Sequence, residues 1–321
     1  MTYVFKNFVA FLKLIRWTNL LFIILIQFAL YYVLVDRVYK MAGIEVALGY
    51  YYLSLLALTT VMIAAAGYII NDYMDVETDK VNKPAKMILS NQLSMKAGMR
   101  AYRILNIVAV ITGFYLSWKV GSWRLGMLFP MIMILLWLYS VKYKNSVLWG
   151  NVAIAVMSAF VVLFVWLFEF FMLRQNPEVF VPVSSYLKMI TGYFLFYAFF
   201  AFLLTMLREI IKDAEDVQGD SVSGFNTLAV KLGIQMSRKI AAVICVITLL
   251  AVGAVVYMFF TGLMNVAAYY FIIAVAVPLI YILTRILKAQ EQTDFHLLSN
   301  FIKIIMLAGL IGLQPIVMSL T

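Results

Sequence analysis

The sequence has little of what most soluble active sites are built from. Its one cysteine, Cys245, sits in an apolar run, so it offers neither a disulfide framework nor a thiolate metal site. Its one histidine, His296, lies in a polar stretch and reads as a solvated loop residue, which leaves imidazole catalysis and His-ligated metals without support. Charged residues make up 12% of the chain, against about 25% in an average soluble domain. No Ser/Gly linker or low-complexity tail divides the chain, so residues 1–321 read as one membrane domain. The first apolar run, 17–35, lacks a small-residue cleavage site and reads as a first span, not a secretory leader.

What is abundant is apolar surface. The chain is 65% hydrophobic with a mean hydropathy of +0.98, which predicts an all-α, polytopic membrane protein. Spans of about 20 residues are expected near 17–35, 50–70, 103–118, 124–141, 149–172, 187–208, 238–261, 264–287 and 298–319, nine transmembrane helices in a bundle. The net charge of +10 does not point to nucleic acid, because the basic residues occupy short connections between apolar runs. On this layout 18 basic residues fall on the N-terminal side and 6 on the other, with Lys303 inside the last span. By the positive-inside rule the N-terminus and both acidic connections face the cytoplasm and the C-terminus faces away, as in a multi-pass protein of the cell (inner) membrane.

Two long connections, 71–102 and 209–237, carry the chemistry. The first opens with Asn71-Asp72-Tyr73-Met74-Asp75-Val76-Glu77-Thr78-Asp79. On a continuous helix Asp72, Asp75 and Asp79 would fall within an arc of about 60°. Three like charges there repel one another, and a divalent cation turns that repulsion into ligation. Mg²⁺ suits the set, since it takes one or two carboxylates and completes its shell with water and phosphate oxygens. Asp213, Asp216 and Asp220 stand 141 residues after the first three, again behind an apolar run and preceded by Arg208-Glu209. The recurrence suggests a parallel internal repeat, unlike the inverted repeats of many transporters.

Carboxylates alone would hold a cation. Carboxylates beside Arg208, Lys212, Lys83, Lys86 and Lys142 suit a metal–polyphosphate, with basic groups on the remaining oxygens. Tyr68, Tyr139, Tyr143, Phe194, Phe196, Tyr197 and Phe200 line the same region of sequence; each is read either as packing or as an aromatic face for a cation. Lys142 and Lys144 are read first as topology determinants, with a ligand role for Lys142 left open. Asn19, near Arg16, is read first as a helix–helix hydrogen bonder. An apolar bundle with a metal–diphosphate mouth fits a polyprenyl diphosphate, whose metal-assisted ionisation leaves an allylic cation for an acceptor nucleophile.

These residues resemble a known family. Asn71-Asp72-x-x-Asp75-x-x-x-Asp79 followed by Asn82-Lys83-Pro84 is similar to the first signature of the UbiA-type intramembrane prenyltransferases. Arg208-Glu209-Ile210-Ile211-Lys212-Asp213-x-x-Asp216-x-x-x-Asp220, with Gly224-x-x-Thr227-Leu228 and Gly233 behind it, is similar to the second. The resemblance implies two Mg²⁺ ions bound with the diphosphate. Asn71, Asp75 and Asp79 would serve one, supported by Asp72; Asp216 and Asp220 would serve the other, with Asp213 nearby. It places Tyr139 and Lys142 near the diphosphate, followed by Asn151, and matches Arg16-x-x-Asn19 to an N-terminal element in which Trp17 replaces a proline. Lys86-Met87 stands where many members carry Arg-Pro.

The run from Lys212 to Asp220 looks most like the digeranylgeranylglyceryl-phosphate synthase branch, which alkylates a glycerol-phosphate ether lipid. Aromatic prenyl transfer in quinone synthesis is the alternative within the family. A divalent-cation or polyphosphate transporter is the alternative outside it, and would place acids near the bilayer midplane, not at span ends. The Asp-Gly-x-x-Ala-Arg opening of the CDP-alcohol phosphotransferases is absent. The implied partners are a prenyl diphosphate, a lipophilic acceptor and the bilayer, with no nucleic acid and no obligate protein partner.

Overall fold

The computed structural model describes residues 2–82 and 87–320, with the side chains of 2–4, 78, 81 and 82 left aside. Among the described residues nine helices are long and apolar enough to cross a membrane: Trp17–Met41, Gly49–Met74, Met95–Lys119, Trp123–Val141, Trp149–Leu173, Pro177–Glu215, Leu228–Thr261, Asn265–Lys288 and Gln292–Met318. The protein is a multi-pass membrane protein. A helix satisfies all its backbone polar groups internally, which an apolar solvent demands. Large apolar side chains such as Leu250 and Ile273 point outward, as lipid contact requires.

Several helices outrun the apolar runs that announce them. The third begins at Met95, not near 103, because Ser94 caps it: Ser94 Oγ accepts the Ala97 N–H at 3.2 Å. Its first turns carry Lys96, Arg100 and Arg103, so hydropathy alone reads them as a connection. The last begins at Gln292, where Asp294 accepts the N–H groups of Gln290 and Glu291 at 3.1 and 3.3 Å. His296 therefore stands on a helix and not in the loop expected for it.

The packing groups the chain into two compact units. The first comprises Met1–Phe28, Ile44–Lys144 and Phe164–Ser184. Here the Gly49–Met74 helix packs on Met95–Lys119 and Trp123–Val141. Gly113 is required at one contact, since a Cβ there would lie 2.3 Å from the Phe129 ring. Glu169, fully buried, accepts the N–H groups of Ala47 and Leu48 at 2.8 and 2.9 Å and so anchors the start of the Gly49–Met74 helix. The helix's other end is held by Ile69 and Val76, which pack with Leu14, Met87 and Leu89.

The second unit comprises Ala29–Gly43, Asn145–Leu163 and Ser185–Thr321. Its Leu187–Glu215 helix packs on both Leu228–Thr261 and Gln292–Ile311. Tyr197 donates to the Gly309 carbonyl at 3.2 Å, tying Leu187–Glu215 to Gln292–Ile311. Gly233 interrupts Leu228–Thr261 at φ 80° and ψ 160°, a conformation open to glycine.

Helix boundaries repeat at the spacing of the acidic motifs. Gly49–Met74 ends one residue before Asp75 and a short helix, Val76–Asn82, follows; Leu187–Glu215 ends one residue before Asp216 and Val217–Val222 follows. Each acidic triplet is thus interrupted at its middle member, so the condition of a continuous helix is not met. The helical hydrogen bonds nevertheless persist, with Asp79 N–H donating to the Asp75 carbonyl at 2.8 Å and Asp220 N–H to that of Asp216 at 3.0 Å.

Candidate active site

In the first unit the acidic residues are met by cations and amides. Asp75 is buried, and its Oδ2 accepts from Asn71 Nδ2 at 3.0 Å and from Lys144 Nζ. Asp72 Oδ1 accepts from Arg16 Nη2 at 3.1 Å. The Arg16 guanidinium lies 4.7 Å from the centre of the Tyr68 ring, and Tyr68 accepts a hydrogen bond from Asn19 Nδ2 at 3.1 Å. Arg16 adopts a positive φ of 52° at the junction between Thr2–Leu14 and Trp17, which turns its side chain toward Asp72. Asp79, partly exposed, sits on the short Val76–Asn82 helix.

In the second unit Asp213 Oδ2 accepts from the buried Asn151 Nδ2 at 2.9 Å, and Asp220 Oδ2 accepts from Thr227 Oγ1 at 3.2 Å. Asp216 caps the end of Leu187–Glu215. Arg208 Nη1 pairs with Glu209 Oε1 at 2.6 Å. His296 Nδ1 lies 2.8 Å from Glu215 Oε1, and its Nε2 lies 3.1 Å from Asn300 Nδ2.

The residues present suit a hard cation that brings ligands of its own. Asn71 Oδ1 is buried and has no hydrogen-bond partner among the described residues, an unusual state for a carbonyl oxygen and the kind of donor Mg²⁺ takes. Among the described residues no three His, Cys, Asp or Glu side chains converge into a closed metal cage. A magnesium–diphosphate brings phosphate and water oxygens of its own.

Most of the side chains singled out in sequence have partners consistent with a charged site. Asn71, Asp72, Asp75, Arg16 and Asn19 gather in one unit; Asp213, Asn151, Asp220, Arg208 and Lys212 belong to the other. Tyr139 is half-buried near the end of Trp123–Val141. Lys142 is exposed and Lys144, two residues on, is the one that reaches Asp75. Lys83 and Lys86 lie outside the described residues. Phe196 packs at 4.7 Å on Phe200 and 5.9 Å on Phe271, which makes that aromatic group packing. Thr227 and Glu169 were not singled out for these contacts; only the pattern Gly224-x-x-Thr227 signalled the first.

Comparison with known proteins follows the same lines. Residues 42–305 match the UbiA prenyltransferase family. The digeranylgeranylglyceryl phosphate synthase of Methanobrevibacter smithii is 29% identical over 259 residues, which cover 80% of this chain and 84% of that protein. A solved digeranylgeranylglyceryl phosphate synthase superposes with a TM-score of 0.65 at 22% identity, covering 96% of this chain and 99% of the other. A UbiA homolog from Archaeoglobus fulgidus, bound to DMAPP and Mg²⁺, superposes with a TM-score of 0.52 at 16% identity, covering 93% and 98%.

Proposed function

Because the chain belongs to the UbiA prenyltransferase family, we propose that it moves a polyprenyl group from a prenyl diphosphate to the hydroxyl of a glyceryl-phosphate ether lipid. The observation that carries this reading is the doubled acidic helix break. Asp75 and Asp216 each end a membrane-length helix, and Asp79 and Asp220 follow on short helices. Relatives named digeranylgeranylglyceryl phosphate synthase support the acceptor class, and the Archaeoglobus homolog supports the metal and the allylic diphosphate.

Asn71, Asp75 and Asp79 would hold one Mg²⁺ and Asp216 and Asp220 a second, with Asp72, bonded to Arg16, and Asp213, bonded to Asn151, in support. Bound metal supplies positive charge to the departing diphosphate. Lys144 fixes the Asp75 carboxylate and lends a further cation beside it. Tyr139 and Lys142 would stand near the diphosphate, as the family resemblance implies. In the reaction the C1–O bond to diphosphate breaks, diphosphate leaving with the electron pair. The acceptor oxygen then bonds to C1, and its proton passes to water or to the diphosphate. The N-terminus and both acidic segments face the cytoplasm, from the distribution of Lys and Arg.

The test is product analysis by mass spectrometry. Purified protein in nanodiscs receives geranylgeranyl diphosphate with either a geranylgeranylglyceryl phosphate or a hydroxybenzoate. A prenyl ether from the first alone is expected. A prenylated aromatic from the second alone would overturn the acceptor class, and undiminished diphosphate release by Asp75→Ala or Asp216→Ala would overturn the site.

A further inference from the structure

The Gln292–Ile311 helix carries a polar stripe that neither acidic motif explains. Gln292, His296, Asn300 and Lys303 are spaced to fall within about 80° of one another around the helix. The stripe starts at the helix mouth, where Glu215, Gln292, Thr293, His296 and Leu297 line an open cleft of about 520 Å³. Lys303 lies roughly 10 Å further along the axis than His296.

The neighbouring helix fixes what Lys303 meets. Tyr197 opposite Gly309 and Glu215 opposite His296 set an antiparallel register between Leu187–Glu215 and Gln292–Ile311. That register brings Lys303 within electrostatic reach of Arg208, Lys212, Glu209 and Glu215. The nearby acids are already engaged: Glu209 with Arg208, Glu215 with His296, and Asp213 with Asn151. The ammonium groups of Lys212 and Lys303 have no hydrogen-bond or ion-pair partner among the described residues. Arg208 Nε is buried and donates to nothing among the described residues. All three cations stand on membrane-length helices and, among the described residues, Arg208 alone of them is ion-paired, so Lys212 and Lys303 repel one another and Arg208 unless a further anion joins them.

We propose that Lys303, with Lys212 and Arg208, binds the phosphate of the lipid acceptor, whose polar head enters along the stripe of Gln292, His296 and Asn300. A phosphate monoester carries the charge and the acceptor oxygens that three such donors require. Arg208 and Lys212, read from sequence as diphosphate contacts, thereby serve the second substrate. The assignment rests on the acceptor reading above and extends it to named residues.

The experiment separates the two. Binding of a glyceryl ether lipid, with and without its phosphate, is measured to purified wild type, Lys303→Met and Lys303→Arg without prenyl diphosphate. Transfer kinetics are then measured on the same proteins. Wild type is expected to prefer the phosphorylated lipid, Lys303→Met to lose at least tenfold of that preference, and Lys303→Arg to regain most of it. In transfer, Lys303→Met is expected to raise the acceptor KM by a similar factor and to leave the prenyl diphosphate KM within about twofold, the tenfold loss corresponding to about 1.4 kcal/mol. Phosphate preference unchanged in a folded Lys303→Met protein would overturn the assignment, as would a rise confined to the prenyl diphosphate KM. Lys303-dependent binding without transfer to the phosphorylated lipid would leave the anion site standing and overturn the proposed reaction.

Discussion

Lys144 Nζ contacts Asp75 Oδ2, across 69 residues of sequence, and Asn71 Nδ2 reaches the same oxygen at 3.0 Å. Charge-assisted bonds of this kind are worth about 1.5–3 kcal/mol, and both side chains are largely covered. Lys144→Met is therefore expected to lower kcat/KM by about 10–100-fold, while Lys142→Met, at an exposed position, costs less. Initial rates of diphosphate release check the ranking, and equal losses would remove Lys144 from its special role.

Asn151 and Asp213 form the matching bond in the second unit, at 2.9 Å. Asn151→Ala leaves the half-buried Asp213 carboxylate without its donor, at a cost of about 1–3 kcal/mol. The expected result is a weaker Mg²⁺ response, with a higher half-saturating concentration in activity assays. Asn151→Asp should be worse than Asn151→Ala, because it sets a second negative charge against Asp213.

Metal removal gives a direct reading. Excess EDTA is expected to abolish prenyl transfer and added Mg²⁺ to restore it. If Asp75 and Asp216 support one step, the double variant Asp75→Asn with Asp216→Asn will lose little more than the worse single variant, as for residues that act as a unit. Losses that multiply would argue that the two carboxylates act independently.

Glu169 anchors the scaffold. Its two oxygens accept the Ala47 and Leu48 N–H groups at 2.8 and 2.9 Å. Glu169→Ala strands both donors in a buried place, so thermal unfolding in detergent should begin several degrees lower. Glu169→Gln keeps one acceptor and should fall between the two. Turnover of surviving folded protein at low temperature should change by less than twofold.

Arg16 pairs with Asp72 and lies over Tyr68, but its side chain is 40% exposed. Solvent screening keeps such a pair weak. Arg16→Ala is expected to cost only about two- to fivefold in kcat/KM, measured beside Asp72→Ala, which should cost more.

The spans and both acidic triplets were legible because they depend on local pattern: apolar length for a helix that crosses lipid, and carboxylate spacing for a metal. What sequence left open depends on packing between distant segments. Lys142 and Lys144 are indistinguishable by composition, and only the turn after Val141 decides which reaches Asp75. Glu169 looks like an isolated acid in an apolar run until Ala47 and Leu48 are folded against it. His296 reads as a loop residue because the capping by Asp294 that extends its helix works through backbone bonds. The break at Asp75 and at Asp216 has no glycine or proline to announce it.

That break divides each acidic triplet between two bodies of unequal freedom. Asp72 and Asp213 ride on long helices embedded in packed neighbours, whereas Asp79 and Asp220 ride on Val76–Asn82 and Val217–Val222, short segments of one or two turns. Segments that short hold little helical stability of their own. Amide hydrogen exchange should accordingly be rapid along Val76–Asn82 and Val217–Val222 in the free enzyme and slow sharply when magnesium and diphosphate bind, while the amides around Ile69 and Leu207 keep their protection throughout.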